Sequence, residues 1–68
     1  MSFDELPRSE VEKLIDEWIR NERDRAILKR RLLDGITYER LAEEFDLSVR
    51  QTKTVVYKSE NRIFRHMH

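Results

Sequence analysis

The sequence predicts an all-α fold: one compact domain of four helices, within a range of three to five, containing a helix-turn-helix and ending in a long carboxyl-terminal recognition helix. Three observations carry that expectation. Apolar residues recur every three or four positions along most of the chain, and two-residue alternation is absent. A single glycine and a single proline interrupt the 68 residues, 41% of which are charged, as suits helices with solvated faces. Small polar residues able to cap a helix also stand just before each periodic segment.

Residues 1–8 read as a lead-in, because Pro7 disfavours a helical conformation at Leu6. Ser9 is the expected start of the first helix, paired with Glu12 in a capping box, S-E-V-E. Val11, Leu14, Ile15, Trp18 and Ile19 then share one face, with Glu10, Glu12, Lys13, Asp16 and Glu17 on the other, so Trp18 is expected in the core. Asn21 is placed to cap a second helix; a continuous helix through it is the competing reading. Glu22 and Asp24 favour the start of that helix, and Lys29, Arg30 and Arg31 favour its end. Ile27, Leu28, Leu32 and Leu33 supply its apolar face, and Gly35 is the expected left-handed residue that closes it.

Thr37 is the expected cap of a short third helix, about Tyr38 to Phe45, whose inward face is Leu41, Ala42 and Phe45 and which Asp46 and Leu47 end. Ser48 is the expected cap of the fourth, from about Val49 to Arg65, with Thr52, Val56, Ser59 and Ile63 inward and Val55 beside them. Residues 66–68 are expected to fray, and residues 1–68 to form a single domain.

Composition excludes several classes of function. A chain of this size lies near the lower limit for a core without staples, and no enzyme cleft of ordinary size fits. Cysteine is absent, so neither disulfides nor thiolate metal sites are expected, in keeping with a cytoplasmic location. No apolar run approaches the roughly 18 residues of a membrane span, and the acidic first 20 residues lack the apolar centre of a signal peptide. Of metal-like spacings only H-M-H at His66 and His68 is present, with no third ligand. Glu43 and Glu44 are adjacent on a helix and so diverge. The expectation is a protein without enzymatic activity, metal or cofactor.

The formal net charge is zero, but its distribution is uneven. Residues 1–24 carry eight acids and four bases, whereas residues 25–68 carry ten bases and six acids. One face of the molecule is therefore expected to be basic, and double-stranded DNA is the partner such a face suits. In a helix-turn-helix the first helix lies over the second, which needs a small residue at the crossing, such as Ala42. The opposite side of the fourth helix then offers Val49, Arg50, Gln51, Lys53 and Thr54 to bases. Arg or Lys pairs with guanine, Gln with adenine, and Val or Thr methyl groups touch thymine. Thr37, Tyr38, Arg40, Ser48, Tyr57 and Lys58 are the candidates for phosphate contact, with Lys29, Arg30, Arg31 and Arg62 adding charge or pairing with the many acids nearby. Tyr57 is equally suited to stacking inward.

The stretch RDRAILKRRLLDGITYERLAEEFDLSVRQTK, from Arg23 to Lys53, resembles region 4 of bacterial sigma factors, and especially the small sigma-like regulators of phages and prophages. It has the arginine-led helix, the following glycine, the Ser, Thr or Tyr pair, the apolar-Ala pair and the Ser or Thr cap of that family. Thr52 stands where the family usually has Val or Ile, and its hydroxyl needs a partner such as a carbonyl one turn back. Asp46 stands where many such units have Gly. The resemblance implies promoter contact through Val49, Arg50, Gln51, Lys53 and Thr54, and a surface offered to RNA polymerase. No counterpart of the core-binding sigma region is seen, so the expected role is regulatory: a DNA-binding transcriptional regulator of phage type, not a complete sigma factor. The alternative is a protein interaction module, associated with polymerase or homodimerising, carried by exposed Val49 and Tyr57 and by Ile63, Phe64 and Met67 near the end.

Overall fold

Local chemistry sets where each helix begins and ends, and the computed structural model describes residues 5–66. Four helices follow one another: α1 (Arg8–Trp18), α2 (Glu22–Leu32), α3 (Tyr38–Phe45) and α4 (Val49–His66). The all-α, four-helix class expected from the sequence is the one observed, with no strand among the described residues.

The start of α1 corrects the sequence reading. Pro7 is the cap residue, with φ −64° and ψ 153°, and its carbonyl accepts from the NH groups of Glu10 and Val11 at 3.0 and 3.1 Å. A proline arrives with φ already near the helical value, so the helix starts at Arg8, one residue before the expected Ser9. The Ser9–Glu12 capping box does not form: no side chain caps α1, and Glu12 lies 3.6 Å from Arg8 instead. At the other end α4 continues to His66, whose ring lies parallel to that of Trp18 with centroids 3.8 Å apart. That stack gives His66 a reason to stay helical, so the expected fray does not include it; Met67 and His68 lie outside the described residues.

The other caps match their residues. Asn21 Oδ1 accepts from the Asp24 NH at 3.1 Å, which separates α2 from α1 and removes the continuous-helix alternative. Gly35 has φ +67°, and past it the Ile36 NH reaches back to the Arg30 carbonyl at 3.2 Å. Thr37 Oγ1 accepts from the Arg40 NH at 3.3 Å.

The core draws on every helix: Val11, Ile15 and Ile19 from α1 and its end, Ile27 and Leu28 from α2, Leu41 and Ala42 from α3, Val56 and Ile63 from α4. Trp18 is half-buried at its edge. Ala42 is buried, as the crossing requires, and Thr52 is buried with its hydroxyl donating to the Ser48 carbonyl at 2.9 Å. At about 1.5 Å per residue, α4 runs ~27 Å, close to the whole 32 Å length of the molecule. Three ion pairs cross the surface, two between helices and one from α1 to the loop after α2. Lys29 meets Asp16 at 2.7 Å, Arg30 holds Glu44 through two bonds of 2.6 and 3.1 Å, and Arg8 reaches Asp34 at 3.3 Å.

Candidate nucleic-acid interface

The turn between α3 and α4 is built by two successive terminal motifs. Asp46 is left-handed, with φ 55° and ψ 47°, and is the sole non-glycine residue of positive φ among those described. Its NH reaches the Glu43 carbonyl at 3.4 Å, and the Leu47 NH reaches that of Ala42 at 2.9 Å, the paired bonds of a Schellman ending. Two residues later Ser48 and Gln51 cap each other: the Gln51 NH donates to Ser48 Oγ and the Ser48 NH donates to Gln51 Oε1, both at 3.0 Å. The whole connection is Asp46, Leu47 and Ser48, so the direction in which α4 leaves α3 is fixed by hydrogen bonds at both ends.

That box changes what Gln51 can offer. A backbone NH can be accepted only by the amide oxygen, so Gln51 is oriented with its NH2 group away from the turn. Paired recognition of adenine would need the oxygen already in use, which leaves Gln51 as a donor to an acceptor such as guanine O6 or phosphate. The S-V-R-Q tetrapeptide carries the box signature, although the sequence reading assigns Gln51 to base contact alone.

The remaining candidates from α4 do come together. Arg50, Lys53 and Thr54 are exposed on its first two turns, and Val49 is half-buried. The Thr54 hydroxyl donates to the Arg50 carbonyl at 3.0 Å, so its methyl group is the part presented outward. Lys58 is exposed one turn on. Tyr57 does not stack inward on α2: it is 54% exposed and meets the edge of Tyr38, with ring centroids 6.3 Å apart.

Tyr38 joins the two helices of this region. The Arg31 guanidinium lies 4.2 Å from its ring centroid, and Lys53 Nζ lies 5.6 Å away, so one ring is flanked by two cations. Burial pushes the Tyr38 phenol above its ordinary range, against the opposing pull of Arg31. Arg31 also donates to the Ile36 carbonyl at 3.0 Å, which ties α2 to the loop before α3. Thr37 and Ser48 are exposed at the starts of their helices with their side-chain oxygens engaged in capping. Arg40 is exposed and forms no hydrogen bond or ion pair with the α4 group among the described residues; its charge acts on Glu44 instead.

Ion pairing holds some of the cations and leaves others, Lys13, Arg20, Arg25, Arg31 and Arg40 among them, without a carboxylate partner among the described residues. Arg8, Lys29 and Arg30 are held by carboxylates, so Lys29 and Arg30 are not open to phosphate. The hydrogen bond from Arg30 holds the Glu44 carboxyl below its usual range and raises Arg30 in turn. Among the described residues, no carboxylate pairs with Arg50, Lys53, Lys58, Arg62 or Arg65. Of the apolar residues that would carry a protein interaction module, Ile63 is fully buried, Val49 and Phe64 are half-buried and Tyr57 is exposed, while Met67 lies outside the described residues. No described helix is long and apolar enough to cross a membrane, and no group of three His, Asp or Glu among the described residues is placed to hold a metal. Comparison with family models, curated proteins and solved structures yields no match.

Proposed function

We propose that this domain binds duplex DNA sequence-specifically as a transcriptional regulator, using α3, the Asp46–Ser48 turn and α4 as a helix-turn-helix with α4 in the major groove. The observation that carries the reading is the state of the cations. Arg8, Lys29 and Arg30, on α1 and α2, are held by carboxylates, while Arg50, Lys53 and Lys58 project without a carboxylate partner from the first three turns of a rigidly capped helix. Arg50 and Lys53 are the guanine-reading candidates, Thr54 offers a methyl group, and Gln51 a donor. Thr37, Tyr38, Ser48, Tyr57 and Lys58 border that surface and suit phosphate, whereas Arg40 lies with Glu44 and is the weakest member of the set. The resemblance of residues 23–53 to sigma region 4 supports a role at promoters of phage type, in the cytoplasm, with RNA polymerase as a neighbour.

Mobility shift against random-sequence duplex pools tests the reading. Wild type should enrich a defined motif, and Arg50→Ala with Lys53→Ala should abolish the enrichment. Equal, weak, salt-sensitive binding by wild type and the double variant would remove it.

A further inference from the structure

The outer side of α4 is uniform far beyond its first two turns. Arg50, Thr54, Asn61 and Arg65 are separated by four, seven and four residues, which aligns them along the helix opposite buried Thr52, Val56, Ser59 and Ile63. Tyr57 and Lys58 flank that line, and every residue of it is exposed. No acid interrupts it, because Glu60, the one carboxylate of α4, lies on the inward flank. There it is half-buried, and burial raises its carboxyl while the Arg31 charge lowers it. Asn61 has no hydrogen-bond partner for its side chain among the described residues.

A helix that touched DNA only through its capped end would need no such continuation. The stripe from Arg50 to Arg65 spans about 22 Å, and the step from Arg50 to Asn61 about 16 Å. At roughly 3.4 Å of duplex axis per base pair, and with a helix in the groove inclined to that axis, the latter covers about three to five base pairs. The major groove is wide enough for a helix laid along it. Asn is one of the two side chains whose amide matches the adenine N6 and N7 pair, and unlike that of Gln51 the Asn61 amide is uncommitted.

We infer that α4 lies lengthwise in the major groove, with Asn61 as a second base-reading residue about three to five base pairs from Arg50 and Arg65 on the phosphate beyond it. This rests on the DNA-binding reading above and adds to it a docking direction, a footprint and a residue. The exposed acid-free stripe is what selects duplex DNA as its occupant, by charge complementarity along the whole helix.

The test uses the full 68-residue chain and duplexes with a random central segment, selected in parallel by wild type, Arg50→Ala, Asn61→Ala and Arg65→Ala. Urea unfolding of each variant should match wild type, since all three side chains are exposed. Asn61→Ala should erase base preference at one end of the selected motif and Arg50→Ala at the other. Affinity for the wild-type duplex should fall about tenfold in the Asn61 variant. Arg65→Ala should leave the motif intact and make binding less salt-dependent. A motif unchanged in Asn61→Ala, or altered at the position that Arg50→Ala alters, would overturn lengthwise docking while leaving DNA binding in place. Failure of wild type to enrich any motif would overturn both.

Discussion

Asp46 does the work of a glycine. A side chain in the left-handed region costs roughly 1–2 kcal/mol, an expense that Asn and Asp partly recover through local hydrogen bonding. Asp46 adds a second cost, because its negative charge sits at the carboxyl end of α3, where the helix dipole disfavours it. Asn relieves both at nearly constant volume. Asp46→Asn should therefore raise unfolding free energy by about 0.5–1 kcal/mol, visible as a midpoint some 2–6 °C higher in thermal melts. A lower midpoint would mean that the carboxylate has a stabilising partner in the turn. Gln51 allows a sharper separation of folding from binding. Gln51→Ala loses the reciprocal cap and should cost about 1 kcal/mol, whereas Gln51→Glu keeps an acceptor for the Ser48 NH and places a charge where the α4 dipole welcomes it. The Glu variant should thus be at least as stable as wild type in urea yet bind duplex DNA more weakly. If it bound equally well, Gln51 would face no phosphate or base.

At the scale of elements, what was legible in the sequence was whatever is encoded within a few residues. The caps at Asn21, Thr37 and Ser48, the left-handed Gly35 and the inward register of α4 all depend on neighbours three to seven positions away, and the structure has them all. Ser9 failed as a cap because a local rival, Pro7, satisfied the first NH groups with its carbonyl. The contacts that shape the candidate interface are tertiary, and no spacing rule announces them. Arg30 meets Glu44 fourteen residues on, and Tyr38 gathers Arg31, Lys53 and Tyr57 from two other helices. Two carboxylates at such junctions shift in opposite directions about the ordinary value of 4.5, which gives opposed pH dependences. Glu60 is raised, so its ionisation opposes folding, and stability should increase as pH falls through its folded pKa. Glu44 is lowered, so its contribution is present above 4.5 and is lost as pH falls through its folded pKa below that value. Denaturant titrations at a series of pH values should show the Glu60→Gln difference developing above 4.5 and the Glu44→Gln difference disappearing below it. Variant and wild-type curves that stay parallel across both windows would contradict these assignments.

For the whole molecule, the zero formal charge conceals an uneven distribution, acidic over residues 1–24 and basic over residues 25–68, and the proposed function draws on that difference. α1 turns Val11 and Ile15 into the core and leaves Glu10, Asp16 and Glu17 exposed; α4 buries its own stripe in the same core and leaves Arg50, Lys58 and Arg65 exposed. Each helix therefore shows its charge outward on a different side. Contact strength at the interface is set by the near cations, but the approach to DNA is felt by every charge within a screening length, about 10 Å at 0.1 M salt and ~30 Å at 0.01 M. The acids of α1 should consequently weaken sequence-blind attraction to DNA at low salt and matter little at physiological salt. If the domain binds DNA as proposed, such an arrangement favours specificity over affinity, because it weakens non-specific complexes without touching the proposed base-reading surface. Replacing Glu10 and Glu17 together by Gln should raise affinity for unselected duplex two- to fivefold at about 0.01 M salt, with the gain gone by ~0.2 M and the selected motif unchanged. These positions are exposed and unpaired among the described residues, so stability should hold. Fluorescence anisotropy across a salt series separates the outcomes. A gain that persists at high salt would place the acids at the DNA contact itself, and no gain at low salt would mean that α1 plays no electrostatic part in approach.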